Sequence, residues 1–162
     1  MEQFEAVMIL LVEDDPGHAV LIEKNLRRAG IANEIMMLDD GQKAVDFLLK
    51  RDGYTGDTHP APMVMLLDLN LPVLDGYQVL KIIKNDERTK QIPVVILTTT
   101  DNPAEVAKCY ELGCNVYVTK PVEYEAFSKA IQNLGLLLSI IKVPNKELRE
   151  IPLKRELRKE HE

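Results

Sequence analysis

An unbroken apolar run that ends in a carboxylate is the most constraining feature of this 162-residue chain. Residues 63–67 are all apolar, and Asp68 follows them directly. A run without alternation predicts a strand buried on both faces, as in a parallel sheet covered by helices. Pro72 and the pair Asp75-Gly76 are typical turn formers, so a loop is expected next. The sequence therefore places Asp68 just beyond the carboxyl end of a central strand.

Similar apolar runs recur along the chain, and segments with helical periodicity lie between them. Strands are expected at residues 7–12, 34–38, 63–67, 93–97 and 116–119. Helices are expected at residues 16–29, 41–50, 77–85, 103–112 and 123–141. Strict alternation predicts parallel strands joined by right-handed crossovers, with helices on both faces. The expected fold class is α/β, a doubly wound, three-layer domain around a five-stranded parallel sheet.

Composition indicates an ordinary globular protein. Hydrophobic residues make up 46% of the chain and charged residues 28%, which suits one domain of this length. No apolar run reaches the roughly 18 residues that a membrane-spanning helix needs. Residues 1–5 carry acids where a secretory signal carries Lys or Arg, and two cysteines make no disulfide framework. We therefore expect a cytoplasmic protein with no membrane segment.

The charge of the chain is unevenly distributed. The net charge is −6, yet residues 142–162 carry seven basic and five acidic side chains. An acidic body argues against a nucleic-acid partner. We expect residues 1–141 to form the folded domain and residues 142–162 a C-terminal tail. The tail is too short for a separate effector domain that binds DNA.

Candidate functional residues follow the first, third, fourth and fifth expected strands. Glu13 and Asp14 follow the first strand, Asp68 the third, Thr98 the fourth and Lys120 the fifth. Because the carboxyl ends of parallel strands share one edge, these side chains should converge. Crowded carboxylates raise each other's pKa, and Mg²⁺ relieves their repulsion. A metal ion and a lysine together neutralise a phosphoryl group, so the pattern indicates phosphoryl transfer with a carboxylate nucleophile.

These segments together resemble the receiver domain of two-component response regulators. The resemblance is carried by Glu13-Asp14, by residues 68–76, by Thr98 and by residues 117–121. It spans roughly residues 7–141 and implies the flavodoxin-like strand order 2-1-3-4-5. The expected partner is a sensor histidine kinase, and the expected cofactor is Mg²⁺.

The resemblance also implies a role for each residue of the site. Asp68 would accept the phosphoryl group from a phosphohistidine of the kinase. Asp14, Asp68 and the backbone carbonyl of Asn70 would bind Mg²⁺, with Glu13 acting mostly through water. Lys120 would pair first with Asp68 and then with a phosphoryl oxygen. Slow intrinsic autodephosphorylation is expected, without any enzymatic activity on another substrate.

Two further residues are implied as a switch. Thr98 would hydrogen-bond the phosphoryl group and move toward it. Tyr117 would swing inward as Thr98 moves and would alter the surface formed by the fourth helix, fifth strand and fifth helix. The simpler interpretation is that Tyr117 is an ordinary half-exposed residue at a strand end. The Lys120–Pro121 peptide is expected to be cis.

Three other polar residues, Asp15, His18 and His59, are not expected to belong to the site. Asp15 is predicted to act only as a helix cap, ahead of Pro16. His18 and His59 have no partner acids at metal-ligand spacing, so both are predicted to be surface residues.

The expected last helix suggests through which interaction the protein passes on its signal. Leu136 and Ile140 lie nearly opposite the face that should pack on the sheet. Homodimerisation would cover them, and so would the tail if it folded back. The long loop at residues 51–62 and the extended last helix are similar to the small regulators that partner phytochrome-type histidine kinases.

Two other functions would require different residues at these positions. A Mg²⁺-dependent phosphohydrolase should carry a second acid two residues after Asp68, where this chain has Asn70. A phosphate-independent adaptor of receiver fold should have lost Asp68 or Lys120, and this chain keeps both. The sequence therefore favours phosphorylation, with the adaptor as the alternative.

Overall fold

The computed structural model describes residues 7–28, 30–50 and 63–120, together with residues 125, 129 and 132. Within this part, five strands alternate with four helices. The strands are β1 (Met8–Val12), β2 (Ile35–Leu38), β3 (Met63–Leu67), β4 (Val94–Thr98) and β5 (Val116–Thr119). The helices are α1 (Pro16–Arg28), α2 (Gly41–Leu48), α3 (Gly76–Lys84) and α4 (Pro103–Glu111). Each element was expected from the sequence, and the ends agree to within one or two residues.

Several expectations fall outside the described residues. They are the loop at 51–62 with His59, most of the helix at 123–141, the Lys120–Pro121 peptide, the interface at Leu136 and Ile140, and the tail at 142–162. Within the expected last helix, residues 125, 129 and 132 are helical.

None of the helices that the structure describes has both the length and the apolar character to cross a bilayer.

The sheet is parallel throughout, with the strand order β2-β1-β3-β4-β5. The predicted fold class and strand order are therefore confirmed. Val12 pairs with Leu67, and Thr98 pairs with Thr119. This register aligns the carboxyl ends of the strands, so the residues that follow them lie along one edge of the sheet.

Alternate residues of the central strands enter two separate hydrophobic cores. On one face, Met65 and Leu67 pack in a core that includes residues of α2, α3 and α4. On the other face, Val64 and Leu66 pack with residues of α1. All five residues of β3 are buried, as its unbroken apolar run predicts.

The loop between β3 and α3 is packed tightly on both sides. A Cβ on Gly76, the first residue of α3, would lie 2.3 Å from the Asp68 carbonyl oxygen. A Cβ on Gly41, at the start of α2, would lie 1.9 Å from the Leu74 carbonyl oxygen. These approaches are possible only without a side chain. Asp75 also forms a capping box with Gln78, which fixes where α3 begins.

The helices differ in how firmly they are attached to the sheet. Of the nine residues of α3, four are buried: Gly76, Val79, Leu80 and Ile83. Among the nine residues of α4, only Cys109 is buried. Because burial of apolar surface stabilises a helix in its place, α4 is held more weakly than α3.

Candidate functional site

The polar residues that follow the strands meet at the carboxyl edge of the sheet. The ammonium of Lys120 contacts Glu13 Oε1 and lies 3.2 Å from Asp68 Oδ2. Carboxylate oxygens of Glu13, Asp14 and Asp68 all lie within 4.8 Å of one another. The Lys120 backbone N–H donates to the Thr98 carbonyl, which ties the ends of β4 and β5 together. The structure thus brings together the side chains of Glu13, Asp14, Asp68 and Lys120, and a backbone hydrogen bond joins Thr98 to Lys120.

Asp68 is held by donors on both of its carboxylate oxygens. Lys120 Nζ donates to Oδ2, and the Asn70 N–H donates to Oδ1 at 3.1 Å. Asn70 therefore orients the carboxylate through its backbone N–H, a contact that the sequence did not predict. Binding of a metal ion by its backbone carbonyl remains a prediction.

The buried acid Glu13 differs in its electrostatics from an ordinary surface glutamate. Burial is the main influence and raises the pKa of Glu13 to about 7. The hydrogen bond from Lys120 opposes this rise, and the charge of Asp68 adds to it. Glu13 Oε2 also accepts from the Asp15 N–H at 3.1 Å. A second positive charge beside the acids would therefore stabilise the ionised form of Glu13.

The donor set of the acidic cluster suits a hard divalent cation. Each of the three acids offers one carboxylate oxygen to an ion. Glu13 and Asp68 are buried, whereas Asp14 is exposed to solvent. Mg²⁺ and Mn²⁺ favour carboxylate oxygens together with water in this kind of site. The acids present therefore fit the metal that the sequence implied.

Thr98 provides an unsatisfied hydroxyl next to the cluster. Its Oγ1 is buried, and it has no hydrogen-bond partner among the described residues. A buried hydroxyl without a partner costs free energy, so a ligand oxygen that reached it would be stabilised. The position of Thr98 at the end of β4 fits the predicted contact with a phosphoryl group.

Tyr117 is linked to the β4–α4 loop rather than to the acids. Its hydroxyl donates to the Thr100 carbonyl at 2.5 Å, and its N–H donates to the Tyr110 hydroxyl at 3.2 Å. Its side chain is half-buried, and burial raises the pKa of Tyr117 to about 12. Its contacts therefore join β5 to the loop that follows Thr98.

The contacts of His18 differ from those predicted. The sequence indicated a surface residue without a partner acid, but His18 Nδ1 lies 3.2 Å from Lys120 Nζ and 3.9 Å from Glu13 Oε1. The predicted lack of a partner acid was wrong, because α1 begins directly after the acids and brings His18 back toward Glu13. The predicted surface position agrees with the structure, since the side chain of His18 is 43% exposed. The short sequence separation of His18 from Glu13 and Asp15, whose carboxylate oxygens lie 3.9 Å and 4.0 Å from its Nδ1, is the signal that could have shown this. The predicted cap is confirmed, since Asp15 Oδ1 accepts from the N–H groups of Gly17 and His18.

Comparisons with known proteins agree with this geometry. The response regulator receiver domain family matches residues 9–132 of the chain. Response regulator Rcp1 of Synechocystis sp. is 40% identical over 127 residues, which cover 78% of this chain and 85% of Rcp1. The family match covers the whole site from Glu13 to Lys120.

Solved structures give the same result. A receiver domain from Rhodospirillum rubrum is 50% identical, with a TM-score of 0.78 over 85% of this chain and 97% of that chain. The phosphorylated cyanobacterial phytochrome response regulator RcpA is 32% identical, with a TM-score of 0.76 over 83% of this chain and 94% of RcpA. The Mn²⁺-bound form of Rcp1 is 37% identical, with a TM-score of 0.76 over 86% of this chain and 99% of that chain. The chain belongs to the response regulator receiver domain family.

Proposed function

We propose that this protein accepts a phosphoryl group on Asp68 from a sensor histidine kinase, in a reaction that depends on Mg²⁺. The observation that carries the proposal is the position of Asp68 beside Lys120 and the two acids Glu13 and Asp14. Asp14 and Asp68 are the proposed direct metal ligands with the Asn70 carbonyl, and Glu13 acts through water. The relatives RcpA and Rcp1 support the proposal, because one was solved in a phosphorylated form and the other with Mn²⁺.

The chemistry follows from the charges at the site. A carboxylate oxygen of Asp68 attacks phosphorus, the P–N bond to the kinase histidine breaks, and an acyl phosphate forms. Lys120 contacts Asp68 before transfer and a phosphoryl oxygen after it, so its positive charge stabilises both states. A bound Mg²⁺ would supply further positive charge to the phosphoryl oxygens. The Thr98 hydroxyl donates to the phosphoryl group once it arrives.

Phosphorylation of the purified protein tests this function directly. Incubation with acetyl phosphate and Mg²⁺ should add the mass of one phosphoryl group, measured by intact-protein mass spectrometry. The gain should be absent in Asp68→Asn and present in Asp101→Asn, which removes an exposed carboxylate outside the cluster. No gain in the wild type, or a gain that survives Asp68→Asn, would contradict the proposal and leave the adaptor role. Transfer from a purified phytochrome-type kinase extends the same assay to the proposed partner.

We further propose that phosphorylation is transmitted through Thr98 and Tyr117 to the surface formed by α4, β5 and the last helix. The hydrogen bond from Tyr117 to the loop after Thr98 supports this route, because movement of that loop must change it. Leu136 and Ile140 are the proposed contacts of a homodimer. Sedimentation with and without the phosphoryl mimic beryllofluoride should show a dimer, and Leu136→Glu should weaken it. A monomer under both conditions would exclude the dimer.

A further inference from the structure

The ammonium of Lys120 has three acceptors, one for each of its N–H bonds. They are Glu13 Oε1, Asp68 Oδ2 at 3.2 Å and His18 Nδ1 at 3.2 Å. An ammonium can only donate, so the His18 nitrogen that faces it accepts through its lone pair. Two of the three acceptors are the expected acids, and the third is the imidazole ring of a residue of α1.

The three acceptors differ in their exposure. The side chains of Lys120 and Glu13 are 3% and 2% exposed, whereas the side chain of His18 is 43% exposed. His18 therefore lies between the buried Lys120–Glu13 pair and solvent. A buried N–H that loses its acceptor is costly, and charge-assisted hydrogen bonds are the stronger ones, so the contact with His18 affects where Nζ rests.

We propose that His18 is a positioning residue of the phosphoryl-transfer site. It accepts the third N–H of Lys120 and shields the Lys120–Glu13 pair from water. The inference rests on the proposed function of Asp68 and adds a residue to it. With Glu13 and His18 holding two N–H bonds, the remaining one can pass from Asp68 Oδ2 to a phosphoryl oxygen while Nζ stays in place.

Two substitutions separate the effect of the hydrogen-bond acceptor from the effect of the ring's volume. His18→Leu provides a side chain of similar size and removes the acceptor. His18→Asn retains an acceptor, since the amide oxygen can take the place of Nδ1. Lys24→Leu, at an exposed position of α1, is the matched control for an added leucine on this helix.

The first readout is the rate of phosphorylation by acetyl phosphate in the full chain with Mg²⁺. His18→Leu should be slowed by about tenfold or more, the factor expected for one lost hydrogen bond to a charged group. His18→Asn should recover most of the rate, and Lys24→Leu should match the wild type. A rate for His18→Leu within twofold of wild type, or an equal loss in His18→Asn, would overturn the inference.

The second readout does not depend on phosphorylation. In ¹⁵N-edited NMR spectra, the Lys120 ammonium should give a signal protected from exchange with water in the wild type and in His18→Asn. The signal should be lost in His18→Leu. If it persists in His18→Leu, the contact with His18 is not what holds the ammonium. If the wild type shows the signal but takes no phosphoryl group, the proposed function fails while the contact stands.

Discussion

Replacing Lys120 by methionine is expected to lower the free energy of unfolding by about 3 kcal/mol in Mg²⁺-free buffer at neutral pH, the usual cost of removing one partner from a buried ion pair. The methionine fills a similar volume, so the loss is mainly electrostatic. It leaves Glu13 and Asp68, both buried, close together without their counter-charge. Urea denaturation followed by circular dichroism measures the change.

Lys81→Met is the matched control for this substitution. Lys81 is an exposed residue of α3, so its replacement should change the stability by no more than about 0.5 kcal/mol. Mg²⁺ should recover part of the loss in Lys120→Met, because a dication between the acids replaces the missing charge. Equal stability of the two variants in Mg²⁺-free buffer would show that Lys120 does not neutralise the acids.

The effect of Lys120→Met should also depend on pH. The pKa of Glu13 is raised in the folded protein, and the opposing hydrogen bond from Lys120 is absent in the variant. A carboxyl whose pKa is raised by folding stabilises the fold below its unfolded pKa, and this contribution is lost as the pH rises through the folded pKa. The gap between the variant and the wild type should therefore be smaller in mild acid than above neutral pH.

Gly76→Ala is expected to destabilise the protein by about 3 kcal/mol, at the upper end for overpacked sites. The added methyl would lie 2.3 Å from the Asp68 carbonyl oxygen and 2.6 Å from the Leu69 Cα. Both are backbone atoms, so the strain is relieved only by moving the chain that carries Asp68. We therefore expect phosphorylation by acetyl phosphate to fall together with the midpoint of urea denaturation.

Gly17→Ala provides the comparison for an alanine placed in a helix of the same domain. Its Cβ would lie 3.2 Å from the end of the flexible Asp15 side chain, and alanine favours a helix, so the stability should change by less than about 1 kcal/mol. If Gly76→Ala were as stable as Gly17→Ala, the close approach of α3 to Asp68 would be wrong.

The fold could be predicted from the sequence because the local signals agree with one another. The unbroken apolar run of β3 indicated burial on both faces, and the alternation with helices indicated parallel strands. Parallel strands bring their ends to one edge, so the meeting of Asp68 with Lys120 followed from topology alone.

Other features depend on angles and distances that a one-dimensional pattern does not contain. The contact of His18 with Lys120 depends on how α1 leaves β1. The packing of Gly41 on the Leu74 carbonyl joins segments that are distant in the sequence. The direction of the Tyr117 hydroxyl depends on a rotamer and on the path of the β4–α4 loop.

The uneven anchoring of the helices has a consequence for signalling. The chain after Asp68 packs closely against α2 and α3, whereas Cys109 is the one buried residue among the nine of α4. A structural change at the carboxyl edge of the sheet is expected to displace the helix whose movement costs the least free energy. Because α4 buries fewer residues than α3, we expect a chemical change at Asp68 to displace α4 more readily than α3.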